Sequence, residues 1–324
     1  MRKKGLHAMG KPSPPNAVWP HPQQIQVVGT GLLYLNSRQL TIISNLDNCI
    51  IIKSAKERYA NIFFPPKLNI ANPPSNVNIL ESLTLIVKSK VCEEHLKLTS
   101  DESYKLSIKD KKADIEASNV WGILRGIETF SQLLFINDEN QVIVNDTVII
   151  DDSPRFRHRG IMLDTARHYL PVPILKKNLD AMSYNKLNVF HWHLVDDQSF
   201  PYESKAFPEL SKKGAYSQDH IYTQQDIKEI IEFARLRGIR VIPEIDTPGH
   251  TFSWFKSHPE LITDCWKDGK PNQAIYAVHG EREIFDVTKP VVYDIMKTLL
   301  NEMHQVFPDG YMHLGTVLQM KFDT

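Results

Sequence analysis

One apolar stretch decides the fold class of this chain: Leu187-Asn188-Val189-Phe190-His191-Trp192-His193-Leu194. It follows an amphipathic segment at about 173–186, and similar apolar stretches begin near residues 160, 240 and 311, with a helical pattern between successive stretches. Strands that alternate with helices favour parallel pairing within one sheet. The second half of the chain is therefore predicted to be an α/β structure with at least four parallel strands.

The helix before the third strand is marked at both ends. Thr223 and Asp226 have the spacing of a capping box, in which each side chain binds a backbone N–H of the other residue. Gly238 lies where a residue in the left-handed conformation ends a helix. The sequence therefore predicts a helix over about 223–238, followed directly by the strand Arg240–Asp246.

The first half of the chain has a different pattern. Short β-branched segments bounded by turn or polar residues, such as Ser82–Val87, predict strands, and the apolar spacing over 117–134 predicts a helix. We interpret residues 21–153 as a small α+β domain. Residues 1–20 contain four prolines and a basic bias, which predicts a disordered lead-in.

Charge and composition exclude several classes of protein. The 324 residues are 42% hydrophobic and include 38 basic and 38 acidic side chains, so the formal net charge is zero. This balance argues against a nucleic-acid-binding protein. No stretch reaches the roughly 18 apolar residues of a membrane span. Met1-Arg2-Lys3-Lys4 resembles the charged start of a signal peptide, but no apolar segment follows it, so no signal peptide is visible.

Charged side chains follow three of the predicted strands. The carboxyl ends of parallel strands form the active face of an α/β barrel, so we expect these groups to converge on one pocket. The groups are Asp164 and Arg167 after the first strand, Asp196 and Asp197 after the second, and Glu244, Asp246 and His250 after the third.

Each group also has a simpler interpretation. Arg167 and Asp164 would form an ordinary surface ion pair, and His250 would be a turn contact. Asp196 and Asp197 are adjacent, and neighbouring strand residues point to opposite faces, so we expect at most one of the two to face a given pocket.

Two histidines on one strand raise the possibility of a metal site. His191 and His193 alternate along the strand and so share a face, a spacing that some metal-dependent barrel hydrolases use. No second pair of histidines or cysteines at ligand spacing follows, and a histidine beside Trp192 is more often a hydrogen-bonded core residue. We predict no metal and no cofactor.

Three motifs in this half of the chain are long and specific: Gly160–Pro171, Tyr184–Pro201 and Asp246–His250. Together they resemble β-N-acetylhexosaminidases of glycoside hydrolase family 20, of the animal lysosomal type, and the likeness runs from about Val18 to Gly315. It implies a (β/α)8 barrel that follows an α+β domain in the chain. It also implies an enzyme that removes terminal N-acetylglucosamine or N-acetylgalactosamine from glycans. It also implies a lysosomal or secreted location and a possible dimer with another hexosaminidase subunit.

The resemblance also implies roles for individual residues. In the family the acetamido oxygen of the sugar attacks its own anomeric carbon, a Glu protonates the leaving oxygen, and the preceding Asp orients the acetamido group. By position, Arg167 would grip sugar hydroxyls, and Asp196 with His250 would support the acidic Glu. Asp164 and Asp197 would support the pocket.

The chain departs from the family at the predicted fourth strand. The family motif there is His, any residue, Gly, Gly, Asp, Glu, whose two carboxylates are the catalytic pair. Here His313-Leu314-Gly315 is followed by Thr316, and neither carboxylate is present. We therefore expect residues 154–315 to form strands one to four of the barrel, 316–324 to be a divergent tail, and this chain to be inactive alone. A small open sheet, a non-catalytic sugar-binding or partner-binding fragment, and a metal-dependent barrel hydrolase remain alternatives.

The cysteines and one sequon complete the predictions. The resemblance pairs Cys49 with Cys92 in the small domain. It matches Cys265 to a cysteine whose partner follows the catalytic Glu, so Cys265 is predicted to be unpaired. Asn145, two residues before Thr147, lies in an N-glycosylation sequon, as expected of a glycoprotein of the secretory route.

Overall fold

A computed structural model describes residues 17–264, 266–267, 269–271 and 284–315. Most of the predicted lead-in, Cys265 and the tail 316–324 lie outside the described residues. The chain separates into two compact units: one contains the residues before Glu94 and Asp101–Arg155, and the other contains Glu94–Ser100 and the chain from Phe156 onward. The short segment Glu94–Ser100 therefore packs with the second unit although the first surrounds it in sequence.

The first unit combines two sheets with two helices. Its elements in chain order are β1 (Gln24–Val27), β2 (Leu32–Tyr34), β3 (Thr41–Ser44), α1 (Ile50–Phe63), β4 (Ser82–Val87), β5 (Tyr104–Lys109), β6 (Lys112–Ala117), α2 (Val120–Leu133), β7 (Phe135–Ile136), β8 (Val142–Asn145) and β9 (Val148–Asp152). The larger sheet has the order β1-β9-β5-β6-β4-β3, and the smaller has the order β2-β8-β7. Cys49, the residue before α1, forms a disulfide with Cys92. This is the pairing that the resemblance implies.

The second unit is built on a parallel sheet. Its elements are β10 (Gly160–Asp164), α3 (Val172–Tyr184), β11 (Val189–Val195), α4 (Pro208–Gly214), α5 (Gln224–Arg235), β12 (Arg240–Ile245), α6 (Phe252–Phe255), β13 (Trp266–Lys267), β14 (Lys270–Pro271) and α7 (Pro290–Val306). Strands β10, β11 and β12 pair in parallel in that order. Buried side chains of α3, α5 and α7, such as Leu179, Ile227 and Leu299, form one core with Trp192 of the sheet.

The predicted helix signals are confirmed at α5. Thr223 and Asp226 form the reciprocal capping box, and Gly238 has a left-handed backbone with φ of 65°. Because the helix begins and ends where these residues direct it, β12 starts two residues after Gly238. The strand therefore enters the sheet in a fixed register beside β11.

The predicted fourth strand is present only as a bridge. His313 forms an isolated parallel bridge with Glu244, and the carbonyls of His313 and Leu314 accept the backbone N–H groups of Ile245 and Thr247. The backbone of Gly315, which follows this bridge, has a φ of 74°. The prediction of a strand over 311–314 was therefore too long. Among the described helices, none is long and apolar enough to cross a membrane.

Candidate functional site

The carboxylate of Asp196 is the centre of the candidate site. Strand β11 ends at Val195, and the Asp196 side chain that follows has no exposed surface. Its Oδ2 lies 2.8 Å from an Arg167 guanidinium nitrogen and 2.8 Å from His193 Nε2, while its Oδ1 accepts the backbone N–H of Asp197 and lies 3.2 Å from His250 Nδ1. Four donors saturate the acceptor capacity of an ionised carboxylate. The group is therefore held in one orientation.

Arg167 joins the ends of two neighbouring strands. Asp164 ends β10, and its Oδ1 accepts the backbone N–H groups of Ala166 and Arg167, which forms the turn after the strand. The Asp164 Oδ2 then accepts a hydrogen bond from Arg167 Nη1 at 2.6 Å, and Arg167 Nη2 pairs with Asp196. The predicted ion pair between Asp164 and Arg167 exists, and the same guanidinium also pairs with Asp196. The Arg167 side chain stays 38% exposed, so its remaining surface faces solvent.

The expectation that Asp196 and Asp197 face opposite ways is wrong. Both carboxylates reach the same imidazole, since His250 Nδ1 lies 3.2 Å from Asp196 Oδ1 and 3.5 Å from Asp197 Oδ2. Alternation applies within a strand, and β11 has already ended, so the backbone turns between the two residues. Asp197 also accepts the N–H of Phe252 at the start of α6, which fixes the segment that carries His250.

A second carboxylate, Glu244 on β12, lies among three histidines. Its Oε2 contacts His191 Nε2 and lies 3.1 Å from His193 Nδ1, and its Oε1 lies 3.3 Å from His313 Nδ1. Sequence reasoning placed Glu244 at a strand end without a role and treated His193 as a core residue or metal ligand. The i, i+3 spacing of His193 and Asp196 was the available signal for their contact.

These contacts determine the charge states of the site. Burial opposes a charge on His193, but hydrogen bonds to Asp196 and Glu244 outweigh it and raise the pKa of His193 to about 10. Burial alone would raise the pKa of Asp196, yet the bonds from His193 and the Asp197 N–H, with the charge of Arg167, lower it. Burial would also raise the pKa of Glu244, but the contacts with His191 and His193 lower it. A protonated His193 thus lies between two ionised carboxylates, Asp196 and Glu244.

The described residues contain three groups whose donor atoms are close enough for a metal ion. They are His191 with Glu244 and His313, Asp164 with His193 and Asp196, and Asp196 with Asp197 and His250. Contacts between carboxylate and imidazole atoms link the members of these groups. We therefore interpret the groups as a network of carboxylate–imidazole contacts.

Tyr216 contributes to the site without any sequence signal. Its hydroxyl donates to the backbone carbonyl of Arg167 at 3.0 Å, and half of its side chain is exposed. The chain between β11 and α5 carries it there, and Tyr169 next to the Arg167 turn stacks on the buried Tyr222 with ring centroids 4.7 Å apart. The Arg167 loop thus has a hydrogen bond from Tyr216, and Tyr169 beside it packs on Tyr222.

Asn145 lies far from this site in sequence and belongs to the first unit. It is the last residue of β8 and pairs with Leu32 of β2. Its glycosylation stays a prediction.

The sequence matches two family models. The model described as "Glycosyl hydrolase family 20, catalytic domain" matches residues 156–316, and the model described as "beta-acetyl hexosaminidase like" matches residues 18–133. The chain is 43% identical over 310 residues to the β-hexosaminidase subunit beta of Felis catus and 42% identical over 316 residues to that of Homo sapiens. These alignments cover 92% and 94% of this chain, but 56% and 54% of the relatives. The chain therefore spans just over half the length of these curated relatives.

Solved structures give the same result. A chitobiase of Flavobacterium johnsoniae superposes with a TM-score of 0.71 and 32% identity over 92% of this chain and 44% of its own. An exo-β-N-acetylglucosaminidase of Vibrio harveyi, solved with N-acetylglucosamine, gives a TM-score of 0.73 and 25% identity over 95% of this chain and 48% of its own. These likenesses confirm the predicted fold class, an α+β domain followed by part of a (β/α)8 barrel.

Proposed function

Because the chain belongs to glycoside hydrolase family 20, we propose that its second unit carries the sugar-gripping part of a β-N-acetylhexosaminidase site. The observation that supports this most directly is the saturated Asp196 carboxylate, which orients Arg167 on one side and His250 on the other. A guanidinium held by two carboxylates has a fixed fork of N–H donors, which suits the paired hydroxyls of a sugar ring. The ligand is a terminal N-acetylglucosamine or N-acetylgalactosamine of a glycoconjugate.

The mechanism that this assignment implies needs no carboxylate nucleophile. The acetamido oxygen of the bound sugar attacks the anomeric carbon, and an acidic Glu protonates the departing oxygen. We assign Asp196 to hold the Nδ1–H of His250, which leaves the opposite ring nitrogen to support that Glu. Asp164 fixes Arg167, and Asp197 fixes the turn that carries His250. His313 belongs to the strand that would present the acid.

The 324-residue chain does not hydrolyse glycosides by itself in this proposal. Thr316 and Val317 follow Gly315 where the family has Gly and Asp, and Leu318 stands where it has the acidic Glu. Loss of a general acid costs roughly 10²- to 10⁴-fold in rate, and loss of the residue that orients the nucleophilic acetamido group removes the remaining advantage.

An activity assay tests this proposal. The purified 324-residue chain is incubated with an aryl N-acetylglucosaminide beside a full-length family member. We expect turnover at the level of the buffer blank. Release of the aryl group at a rate near that of the full-length enzyme would overturn the assignment of Leu318 to the position of the acid.

A second candidate function, sugar binding without hydrolysis, is favoured by the intact contacts of Arg167, Asp196 and His250. Calorimetric titration with N-acetylglucosamine tests it. Arg167→Lys should weaken binding at least tenfold, because one ammonium group cannot reproduce the fork. Arg235→Lys is the matched control, since Arg235 pairs with Glu232 on α5. Equal affinity of both variants, or no binding by the wild type, would contradict this function.

The assembly and location of the protein remain proposals of the same kind. The relatives include subunits named alpha and beta of β-hexosaminidase. We propose that this chain associates with a hexosaminidase subunit in a lysosomal or secreted compartment. Co-expression with a tagged subunit, followed by size-exclusion chromatography, tests the association, and two separately eluting proteins would refute it.

A further inference from the structure

We propose that Glu244 is a positioning residue, which fixes Asp196 through the imidazole of His193. The proposal rests on the function given above only for what Asp196 does to sugar, because the contacts among the three side chains stand by themselves. Glu244 is on β12, His193 on β11 and Asp196 just beyond the end of β11. The three groups form a line that runs from one strand to the next and ends at the sugar-gripping Arg167.

The two ring nitrogens of His193 each face a carboxylate. Its Nε2 lies 2.8 Å from Asp196 Oδ2, and its Nδ1 lies 3.1 Å from Glu244 Oε2. Ionised carboxylate oxygens only accept hydrogen bonds, so both contacts are hydrogen bonds only when both ring nitrogens carry a proton. A neutral imidazole would direct a lone pair at one of the carboxylates. The two distances thus fit an imidazolium that bridges the carboxylates.

The pairing of the strands places Glu244 beside His193. In the parallel ladder Asp164 is paired with His193, and His193 with Glu244. The three side chains therefore lie in one layer across the sheet, and His313 extends this layer through its bridge to Glu244. Glu244 is 7% exposed and His193 5% exposed, so water does not replace either partner. The register of the sheet, rather than a loop, sets the distance.

Several other titratable groups surround His193. Acidic groups in this network are Asp164, Asp196, Asp197, Glu244 and the buried Asp246, and basic groups are Arg167, His191, His250 and His313. Arg167 serves Asp164 and Asp196, and His250 serves Asp196 and Asp197. Between Glu244 and Asp196 the bridging cation is His193. Without Glu244, the Nδ1 of His193 loses a charged acceptor, and the imidazolium loses much of its stabilisation.

Loss of the Glu244 carboxylate would also change how Asp196 is held. A neutral His193 can rotate or present a lone pair, and Asp196 Oδ2 then keeps Arg167 as its remaining side-chain donor. Asp196 would no longer be held from two directions on that oxygen. The guanidinium of Arg167, which bridges Asp164 and Asp196, would lose its fixed orientation. Glu244 therefore acts on sugar recognition without touching the sugar.

Histidine NMR on the ring-labelled 324-residue chain tests the proposal, with His193→Asn used to assign the resonance. In the wild type at pH 7.5 we expect both ring nitrogens of His193 to be protonated. In Glu244→Gln, which keeps the shape and removes the charge, we expect the proton affinity of His193 to fall at least tenfold. Glu302→Gln is the matched control, because Glu302 is a hydrogen-bonded carboxylate in the same unit that accepts from Tyr202, Ser204 and Ala206. It should leave the titration of His193 unchanged.

The outcomes separate this proposal from the proposed function. A neutral His193 in the wild type at pH 7.5 would overturn the bridge, and so would a titration that Glu244→Gln does not move. The wild-type spectrum alone decides whether His193 is protonated at pH 7.5, even if a variant fails to fold. N-acetylglucosamine binding should weaken at least tenfold in Glu244→Gln, with partial recovery in Glu244→Asp. Absence of sugar binding in the wild type would refute the proposed function and leave the NMR result valid.

Discussion

Arg167 and Asp196 follow different strands, yet a guanidinium nitrogen of Arg167 lies 2.8 Å from Asp196 Oδ2, with the arginine 38% exposed and the aspartate fully buried. The pair thus connects solvent to the interior at the end of the parallel sheet. Because the carboxylate is buried away from water, the arginine that pairs with it contributes to stability.

Replacing Arg167 should destabilise the second unit. Arg167→Met removes one of four donors from a buried carboxylate, which we expect to cost about 1–3 kcal/mol. Hydrogen exchange of the β10–β12 amides measures this unit. The control Arg235→Met, which breaks a pair with a half-exposed Glu232, should cost about 1 kcal/mol or less. Equal losses in the two variants would contradict the prediction.

A second buried pair lies at the other end of β12. Arg240 is 3% exposed and Asp309 is 6% exposed, with Arg240 Nε 2.7 Å and Nη2 2.8 Å from the carboxylate. Arg240→Leu leaves a buried charge alone and should cost about 3–5 kcal/mol, whereas the double variant with Asp309→Leu should recover much of the loss. Urea unfolding of the two variants checks this, and a double variant no more stable than the single one would refute it.

Gly315 should not tolerate a side chain. A Cβ there would lie 1.9 Å from Asp246 Oδ1, and the backbone φ of 74° already disfavours other residues. We expect Gly315→Ala to displace Asp246 and to destabilise the pairing of 313–314 with β12 by about 1–3 kcal/mol. Gly310→Ala is the matched control, because a Cβ at Gly310 meets nothing within 4 Å. Thermal melting of both variants measures the difference, and similar melting temperatures would contradict it.

The stability of the second unit should pass through a maximum in mildly acidic solution. The pKa of His193 rises from 6.5 to about 10 on folding, so its contribution is complete below pH 6.5 and disappears as pH rises toward 10. The pKa values of Asp196 and Glu244 fall below 3.8 and 4.5, so their contribution is present above those values and disappears as pH falls. We expect the highest melting temperature between about pH 4.5 and 6.5. A melting temperature that rises steadily from pH 6.5 to 10 would be inconsistent with a protonated His193.

The disulfide of the first unit should contribute strongly to its stability. Cys49 and Cys92 are 43 residues apart, and closing such a loop contributes about 4 kcal/mol in the chain-entropy model. Cys49→Ser should lower the free energy of unfolding by that order, measured by urea denaturation. Cys265→Ser should leave it unchanged if Cys265 is unpaired. A comparable loss in Cys265→Ser would show that this cysteine has a partner.

Local patterns determined much of the fold. The apolar stretch 187–194 lies mainly in β11, and Thr223 with Asp226 begins α5 at the predicted residue. Such features depend on hydrogen bonds and side-chain spacing within a few residues, which the sequence displays directly. The fourth strand was overestimated: of the described residues 311–314, only His313 forms a bridge with β12, and the apolar pattern does not reveal which residues pair.

The sequence by itself determined the alternation of strands and helices, the family motifs, the acidic and basic residues at the strand ends, and the residues Thr316-Val317-Leu318 that follow Gly315. Only the tertiary structure decided how those residues are paired. Asp196 and Asp197 face one histidine because β11 ends before them, and His193 bridges to Glu244 because the parallel register places the two side by side. Hydrogen bonds depend on distances of tenths of an ångström between groups far apart in the chain, and the packing of β10, β11 and β12 sets those distances.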